Sequence, residues 1–471
     1  MSSNASPLSP VTLVRGLGLL AAIAMVVGDV IGTGVFLKAR VMTCNVGTPG
    51  MVVTVWVVAG LLSLAGALTY AELAVLMPRA GGEYVFIREA YGRLWGFLYG
   101  WTRFFVASTG GLAGLAAGFA IFLNIASGGA LQAHALVLPL GGREISIGAV
   151  TIVASAAILL VTVVNCAAVS VGGRIASVMA TLKVALVLGV GLGAFLLADG
   201  DWGHFAMSAA GGTCEGVPAA ARGGIAGFGA AMLGAMWAYN GWNEVTYVAG
   251  EVRDPGRNLP LAIIGGIAII ATLYVLANVA YFYVMAPAFV ASISPASAVA
   301  TEVVTQFMGP AAAGVMAAAL AMSIFGSLQI VALVSARIPY AMASDGLFFS
   351  PLARLSPRTR VPIRALWAQA AWAIVLVFSG SYDTITDYAI FAVLIFVVLA
   401  TASVFVFRRR LPDVERPYRT LGYPVVPILF MAVATAIVIN TLVTTPDRAL
   451  AGVGLMLAGL PFYWYWSRAA R

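Results

Sequence analysis

The chain has 471 residues, of which 61% are hydrophobic and 9% charged, with a mean hydropathy of +0.99 and a formal net charge of +8. Soluble domains carry roughly 25% charged residues, so an ordinary water-facing enzyme is excluded and the composition is that of a polytopic membrane protein. In such a chain Lys and Arg report orientation first, so the basic balance gives no nucleic-acid reading.

Cutting the sequence at its charge and Pro/Gly clusters leaves twelve apolar segments, near 16–41, 50–76, 93–125, 145–167, 173–198, 226–250, 260–286, 311–342, 363–380, 385–407, 424–444 and 449–466. Each is long enough for one span of about 20 residues, and the connections are too short for a sizeable soluble domain. The opening MSSNASPLSP lacks a basic region, and the apolar stretch after Arg15 is too long for a cleaved signal core, so it reads as the first span. An even number of spans puts both ends on one side. With the N-terminus inside, 19 of the 26 basic residues lie in or beside cytoplasmic connections; five lie outside (Lys38, Arg40, Arg143, Arg222, Arg448), and Arg103 and Lys183 lie within spans. This bias predicts cytoplasmic N- and C-termini.

Two segments break the apolar monotony. In the first, GDVIGTGVF sets Gly28, Gly32 and Gly34 with the polar Asp29 and Thr33 in mid-span; in the sixth, MWAYNGWNEV sets Asn240, Gly241, Asn243 and Glu244 at comparable depth. Gly28 with Gly32 is a small-xxx-small pair that close helix packing alone would explain. Two interruptions five spans apart instead match an inverted-repeat transporter with a midplane site, where irregular backbone must line a cavity or be buried in protein. Cys44, Cys166 and Cys214 are too few and too scattered for a disulfide framework or a metal site. His134 and His204 fall in predicted outer loops, and no metal spacing or nucleotide loop occurs. The chain therefore reads as no enzyme, with no cofactor and no metal.

At five places the sequence resembles the amino acid, polyamine and organocation (APC) transporter superfamily, and within it the L-type amino acid transporter branch and its bacterial homologues. VIGTGVF resembles that family's first-span IIGSGIF, and YAELAVLMPRAGGEYVFIREAYG its second-span end and following loop. AYNGWNEVTYVAGEVRDPGRNLP is similar to the sixth-span AY-x-GW run, the segment from SIFGSLQ to SPRTRVP to the eighth span and its loop, and ERPYRTLGYPVVP to the stretch before the eleventh. The resemblance implies an all-α integral membrane fold of twelve helices. It would be a 5+5 inverted repeat plus two further helices, with helices 1 and 6 discontinuous. The boundaries are a cytoplasmic tail (1–14), repeats at 15–198 and 226–407, and the last two helices at 408–471. The implied activity is transport of L-amino acids by alternating access, as a sodium-independent exchanger or uniporter. Alternatives are a proton-coupled symporter, a cationic amino acid or polyamine transporter, and a non-transporting sensor; Gly32, Gly34, Gly241 and the lack of a long cytoplasmic tail favour transport.

On that reading, unwinding after Val30, with Ile31 in the same binding stretch, frees the N–H groups of Gly32, Thr33 and Gly34 for a substrate carboxylate, to which Thr33 adds a hydroxyl. Unwinding the sixth span presents the carbonyls of Trp237, Ala238 and Asn240 to the ammonium, with Tyr239 and Gly241 in the same binding stretch. By the family pattern Trp237 closes over the substrate, the alternative being a packed core tryptophan. Asn240 stands where relatives have Gly, or Asp in some that take cationic substrates, which points to small or medium neutral amino acids. Lys183, in the fifth span, falls where many sodium-independent relatives hold an ammonium in place of sodium, with Ser323 and Ser327 as candidate neighbours and Ser323 the better aligned. It is either a permanent surrogate cation or a group that exchanges a proton. Asp29 has three readings: a pair with Lys183, a proton carrier, or a cap on exposed N–H groups. Glu244 and Asp387 are candidates to face a vestibule, and Glu72 and Arg79 an inner gate or a loop ion pair. Human L-type members bind a glycoprotein through a cysteine between spans three and four. The loop SGGALQAHALVLPLGGREIS has none, so the expected partners are substrate and lipid bilayer, with no disulfide-linked heavy subunit and a functional monomer in the plasma membrane (the inner membrane of a bacterium).

Overall fold

The computed structural model describes residues 12–131, 136–140, 143–294, 297–309, 311–379, 382–444 and 446–469; the side chains of 136–140, 143–147, 382–392, 441, 444, 448 and 469 are outside that description. His134 and most of the N-terminal tail lie outside the described residues, as does the Asp387 side chain. The opening elements are α1 (Leu19–Val30), α2 (Gly34–Val46), α3 (Pro49–Leu76), α4 (Glu83–Tyr91), α5 (Arg93–Thr102) and α6 (Ser108–Ala126). After a hairpin of β1 (Leu136–Leu140) and β2 (Arg143–Ile147) come α7 (Ala149–Asn165), α8 (Val169–Leu197), α9 (Gly224–Ala238) and α10 (Pro255–Val284). Then follow α11 (Pro287–Ser292), α12 (Val299–Met308), α13 (Ala312–Ser335), α14 (Arg337–Ser344), α15 (Ile363–Ser379), α16 (Tyr382–Arg410), α17 (Val425–Thr444), α18 (Pro446–Leu457) and α19 (Leu460–Ala469). The fold is helical as expected, except that the connection after α6 holds the antiparallel β1–β2 pair where the sequence indicates only a loop.

Among the described residues six helical stretches are long and apolar enough to cross a membrane: Pro49–Leu76, Arg93–Ala126, Val169–Leu197, Pro255–Val284, Ala312–Ser344 and Ala449–Arg468. The pair α1 and α2, bent by 41°, makes a seventh if taken as one span, and α7, α9 and α15 are shorter apolar helices. Local chemistry sets the ends. Thr48 accepts from the Met51 N–H and Pro49 occupies the first turn of α3, where its missing N–H costs nothing. Along the spans, hydroxyls are satisfied within their own helices, as with Thr69 on the Ala65 carbonyl, Thr102 on Leu98 and Thr162 on Ile158.

Polar side chains bind the helices to one another at the two ends. At one end Arg337 grips Glu251 through Nε (2.7 Å) and Nη2 (3.0 Å), and neither side chain is exposed at all. Glu72 accepts from Arg408 Nε and Nη2 at 2.9 and 2.7 Å and from the Thr420 N–H and hydroxyl, both at 2.7 Å. Arg79 pairs instead with Glu89, at 3.4 Å. Glu72 and Arg79, grouped from the sequence, thus belong to separate contacts. At the same end the Leu17 N–H donates to the Glu251 carbonyl (3.0 Å) and the Arg253 N–H to Leu17 (2.8 Å), pinning the start of α1 to the end of the sixth segment.

At the opposite end of α2 the long connection 198–223 is fastened down. Cys44 and Cys214 form a disulfide, contrary to the expectation of unpaired cysteines; their separation of 170 residues hid a contact that folding creates. Around it Arg40 donates to the Glu215 carbonyl (2.9 Å), Asn45 to Ala221 (2.6 Å), and the Gly223 N–H to Asn45 (2.7 Å). Closing so long a loop is expected to stabilise the fold by about 2–4 kcal/mol. Peptide mapping without reductant should recover a Cys44–Cys214 cross-link with Cys166 unmodified, and Cys44→Ser should lower the melting temperature. Thiol-reactive Cys44 and Cys214 in the unreduced protein would contradict the pairing.

Candidate functional site

The break in the first span is a three-residue interruption, Ile31 to Thr33, between α1 and α2. It orphans carbonyls on one side and N–H groups on the other. On the carbonyl side, Lys183 from α8, 1% exposed, places its ammonium 2.5 Å from Gly28 O, 2.8 Å from Ile31 O and 2.6 Å from Ser327 Oγ. Three donors thus meet three acceptors. Each such charge-assisted bond is worth about 1.5–3 kcal/mol, against an insertion cost of roughly 2.5–3.5 kcal/mol for a lysine in mid-membrane. The cation also lies at the negative end of α1, where the helix dipole favours it. Ser327 touches the ammonium, while Ser323 donates to Ile31 O at 3.4 Å, so the less well aligned serine makes the direct contact. Asp29 forms no ion pair with Lys183 among the described residues.

On the other side, the Gly32 N–H turns back to Val30 O (2.8 Å), whereas the N–H groups of Thr33, Gly34 and Val35 find no acceptor among the described residues. The expected set of Gly32, Thr33 and Gly34 is therefore displaced by one residue. The reason is local: a tight turn at Ile31 consumes the first amide, and α2 begins at Gly34 with its first-turn donors unfilled. Three free N–H groups at a helix N-terminus form an anion site.

The sixth segment is likewise broken. Helix α9 ends at Ala238, Tyr239 to Asn243 form a turn, and a 3-10 helix runs from Glu244 to Glu251. Gly241 bends the turn with φ +113°, a conformation that disfavours a side chain. The carbonyls of Tyr239 and Asn240 accept nothing among the described residues; Trp237 O takes the Asn240 N–H at 3.1 Å. Tyr274 of α10 joins the two breaks, its hydroxyl lying 2.9 Å from Val30 O and 3.1 Å from Ala238 O. Gly34 lets them touch: a Cβ there would sit 2.5 Å from Ala238 Cβ and 2.9 Å from its Cα. The same added atom at Gly32 would find only Val30 O, 4.0 Å away.

Of the residues singled out from the sequence, Val30, Ile31, Gly34, Ala238, Tyr239 and Gly241 are buried in this junction, and Gly32 and Thr33 are half-buried. Asn240 and Trp237 are exposed, Trp237 by 44%, with the Lys38 ammonium 4.8 Å from its ring centroid. Trp237 is therefore no core tryptophan. Glu244 is buried, and its Oε1 takes Arg103 Nη2 at 2.6 Å. Arg103 projects from a π-helical turn, Arg103–Ala107, between α5 and α6, and also reaches the Tyr247 hydroxyl. Behind it Tyr70 and Tyr99 donate to Glu83 at 2.5 Å and Tyr247 at 2.9 Å. Sequence reasoning had Arg103 as a charge in a span but missed its pairing with Glu244. It missed Tyr274 altogether, one aromatic residue in an apolar span.

A family model described as amino acid permease matches residues 17–464. The b(0,+)-type amino acid transporter 1 of Mus musculus is 28% identical over 464 residues, covering 98% of this chain and 90% of the relative. The serine/threonine exchanger SteT of Bacillus subtilis (strain 168) is 29% identical over 459 residues, 96% of this chain and 97% of the relative. The large neutral amino acids transporter small subunit 2 of Oryctolagus cuniculus is 30% identical over 467 residues, 97% of this chain and 82% of the relative.

The junction makes opposite demands on two neighbouring glycines. Gly34→Ala should force α2 away from α9 and lower ligand affinity at least tenfold, while Gly32→Ala should fold with near-normal thermal stability. Unchanged ligand binding by Gly34→Ala, measured on purified protein, would refute the close approach.

Proposed function

Because the chain belongs to the amino acid permease family, whose relatives described above are amino acid transporters and not enzymes, we propose that its two broken segments form the binding site of an L-amino acid carrier. The observation that carries the reading is the run of three unfilled amides at Thr33, Gly34 and Val35, held against the end of α9. A free amino acid has a carboxylate and an ammonium, and each needs compensation once out of water. The amides take the carboxylate, with the Thr33 hydroxyl beside them. The carbonyls of Tyr239 and Asn240 take the ammonium at the negative end of α9. These contacts recognise what all amino acids share. Selection among them falls to the exposed Trp237 and Asn240; the neutral Asn240 offers a cationic side chain no counter-charge, which favours small to medium neutral substrates.

The shorter helices complete twelve spans in this reading. The repeats at 15–198 and 226–407 form the 5+5 core, helices 1 and 6 are discontinuous, and both termini lie in the cytoplasm. The disulfide end then faces outward, where oxidising conditions preserve such bonds, and the Arg337–Glu251 end faces the cytoplasm. Lys183 stands as a fixed cation for the break, so the carrier works without sodium, as an exchanger or a uniporter. One relative is named a small subunit. Here Cys44 and Cys214 pair with each other and the remaining Cys166 follows α7, which supports a carrier that works without a disulfide-linked partner, in this reading as a monomer.

Purified protein in liposomes loaded with unlabelled L-alanine should take up labelled L-alanine in sodium-free buffer several-fold faster than empty liposomes. Lys183→Ala, which strips the Gly28 and Ile31 carbonyls of their cation, should reduce that uptake by at least an order of magnitude. No uptake of any neutral amino acid, or wild-type rates in Lys183→Ala, would overturn the reading.

A further inference from the structure

A recess of about 450 Å³ opens where the chain enters α1, at the end of the molecule closed by Arg337 and Glu251. It is lined by residues 16–21, by Ser170, Gly173, Arg174 and Ser177 of α8, and by Arg253, just past the 3-10 helix of the sixth segment. Its walls are fixed to one another. The Arg253 N–H donates to Leu17 O at 2.8 Å, and α8 packs on the same leucine: a Cβ on Gly173 would lie 2.7 Å from Leu17 Cδ2. Leu17 therefore ties the two arginine-bearing segments together.

No carboxylate answers these two guanidinium groups. Arg174 makes no hydrogen bond or ion pair among the described residues, and Arg253 donates from its side chain only through Nε, to Arg15 O at 3.2 Å. The recess is lined by no Asp or Glu. Glu251 is spent on Arg337, and Asp254, next to Arg253, forms no ion pair among the described residues. Like charges gathered without a counter-ion repel, and an anion between them removes that cost. The Ser170 hydroxyl is also without a partner among the described residues, while Ser177 donates to Gly173 O at 2.9 Å. The N–H groups of residues 18–21 find no acceptor there either, so they add donors to a site that the arginines define.

The depth of the recess matches the headgroup layer of a bilayer. At 1.5 Å per residue α8 is about 43 Å long, so a centred hydrocarbon core of about 30 Å leaves roughly four to five residues outside at each end. Arg174 is the sixth residue of α8, and its long side chain reaches outward from there. Towards the membrane interior the surface turns apolar: Leu20 of α1 is 79% exposed and Val178 of α8 55%. A lipid fits both parts, whereas a free anion fits only the first.

We propose that this recess binds the phosphate of an anionic phospholipid headgroup from the cytoplasmic leaflet, with the acyl chains lying over Leu20 and Val178. The choice of leaflet rests on the orientation in the reading above. The planar forks of Arg174 and Arg253 match phosphate oxygens, and basic pockets between helices on the cytoplasmic side are suited to such headgroups. The bound phosphate joins the start of α1, the start of α8 and the chain beyond the sixth break. Occupancy thus favours the arrangement in which the start of α1 is docked, since a ligand shifts a protein towards the state it binds better.

The test counts lipid on the full chain. Protein purified in neutral detergent is offered dioleoylphosphatidylglycerol, dioleoylphosphatidylcholine or inorganic phosphate, and bound molecules are read by native mass spectrometry. Phosphatidylglycerol should be held at least tenfold more tightly than phosphatidylcholine and should raise the melting temperature. Arg174→Gln combined with Arg253→Gln should lose both effects; both side chains are exposed, and the Arg253 backbone bond to Leu17 is kept. Arg358→Gln, which removes one exposed charge at the same end but outside the recess, should keep both effects. Equal retention of the two lipids by the wild type, or an undiminished preference in the double variant, would overturn the proposal. Inorganic phosphate that displaces phosphatidylglycerol and stabilises as well would assign the recess to a free anion and overturn it too. Counterflow of L-alanine measured in parallel separates the two readings. Its absence with the lipid preference intact removes the transport reading alone, and loss of the preference with counterflow intact removes this one alone.

Discussion

A helix broken inside a membrane must find partners for backbone groups that water cannot reach, and the rest of this structure is arranged around that requirement at Ile31 to Thr33. The burden is divided. Lys183 and the two serines of α13 satisfy the carbonyl end from within the protein, so that end is fixed. The amide end at Thr33, Gly34 and Val35 is left unfilled, so that end is available. An asymmetric solution of this kind leaves donors that a ligand could fill: with both ends satisfied internally none would remain, and with neither satisfied the break would be costly away from water.

The remaining architecture serves to bring the second break against the first. Tyr274 spans the two carbonyls with one hydroxyl, and Trp56 packs edge to face on both Tyr239 and Tyr274. Beyond this junction the molecule is tied at both ends by different chemistry. The disulfide and its surrounding backbone bonds hold the 198–223 connection to α2, whereas ion pairs and the Leu17–Val252 bridge close the other end. A disulfide does not open during a transport cycle, but ion pairs can exchange partners with water. The difference sets a covalent tie at one end of the molecule and ion pairs at the other.

Much of this was legible in the sequence because membrane solvation is such a strict filter. Glycines with polar neighbours in mid-span, and a lysine among valines and leucines, are conspicuous where nearly everything is apolar, and GDVIGTGVF, MWAYNGWNEV and Lys183 stood out for that reason. Partnerships set by folding were not legible. Cys44 and Cys214 lie 170 residues apart, and Arg103 and Glu244 141 apart, with no local pattern linking either pair. The choice between Ser323 and Ser327 turned on one turn of helix. The shift of the free amides from Gly32 to Val35 turned on a single tight turn, finer than any sequence periodicity resolves.

The central claim is that the free amides of Thr33, Gly34 and Val35 hold a carboxylate. The most direct measurement is equilibrium binding to purified protein of L-alanine, L-alanine amide and ethylamine, which keep the amine while the carboxylate is neutralised and then removed. The account predicts that L-alanine binds and that both analogues lose at least a hundredfold in affinity. Comparable binding by L-alanine amide or ethylamine would contradict it.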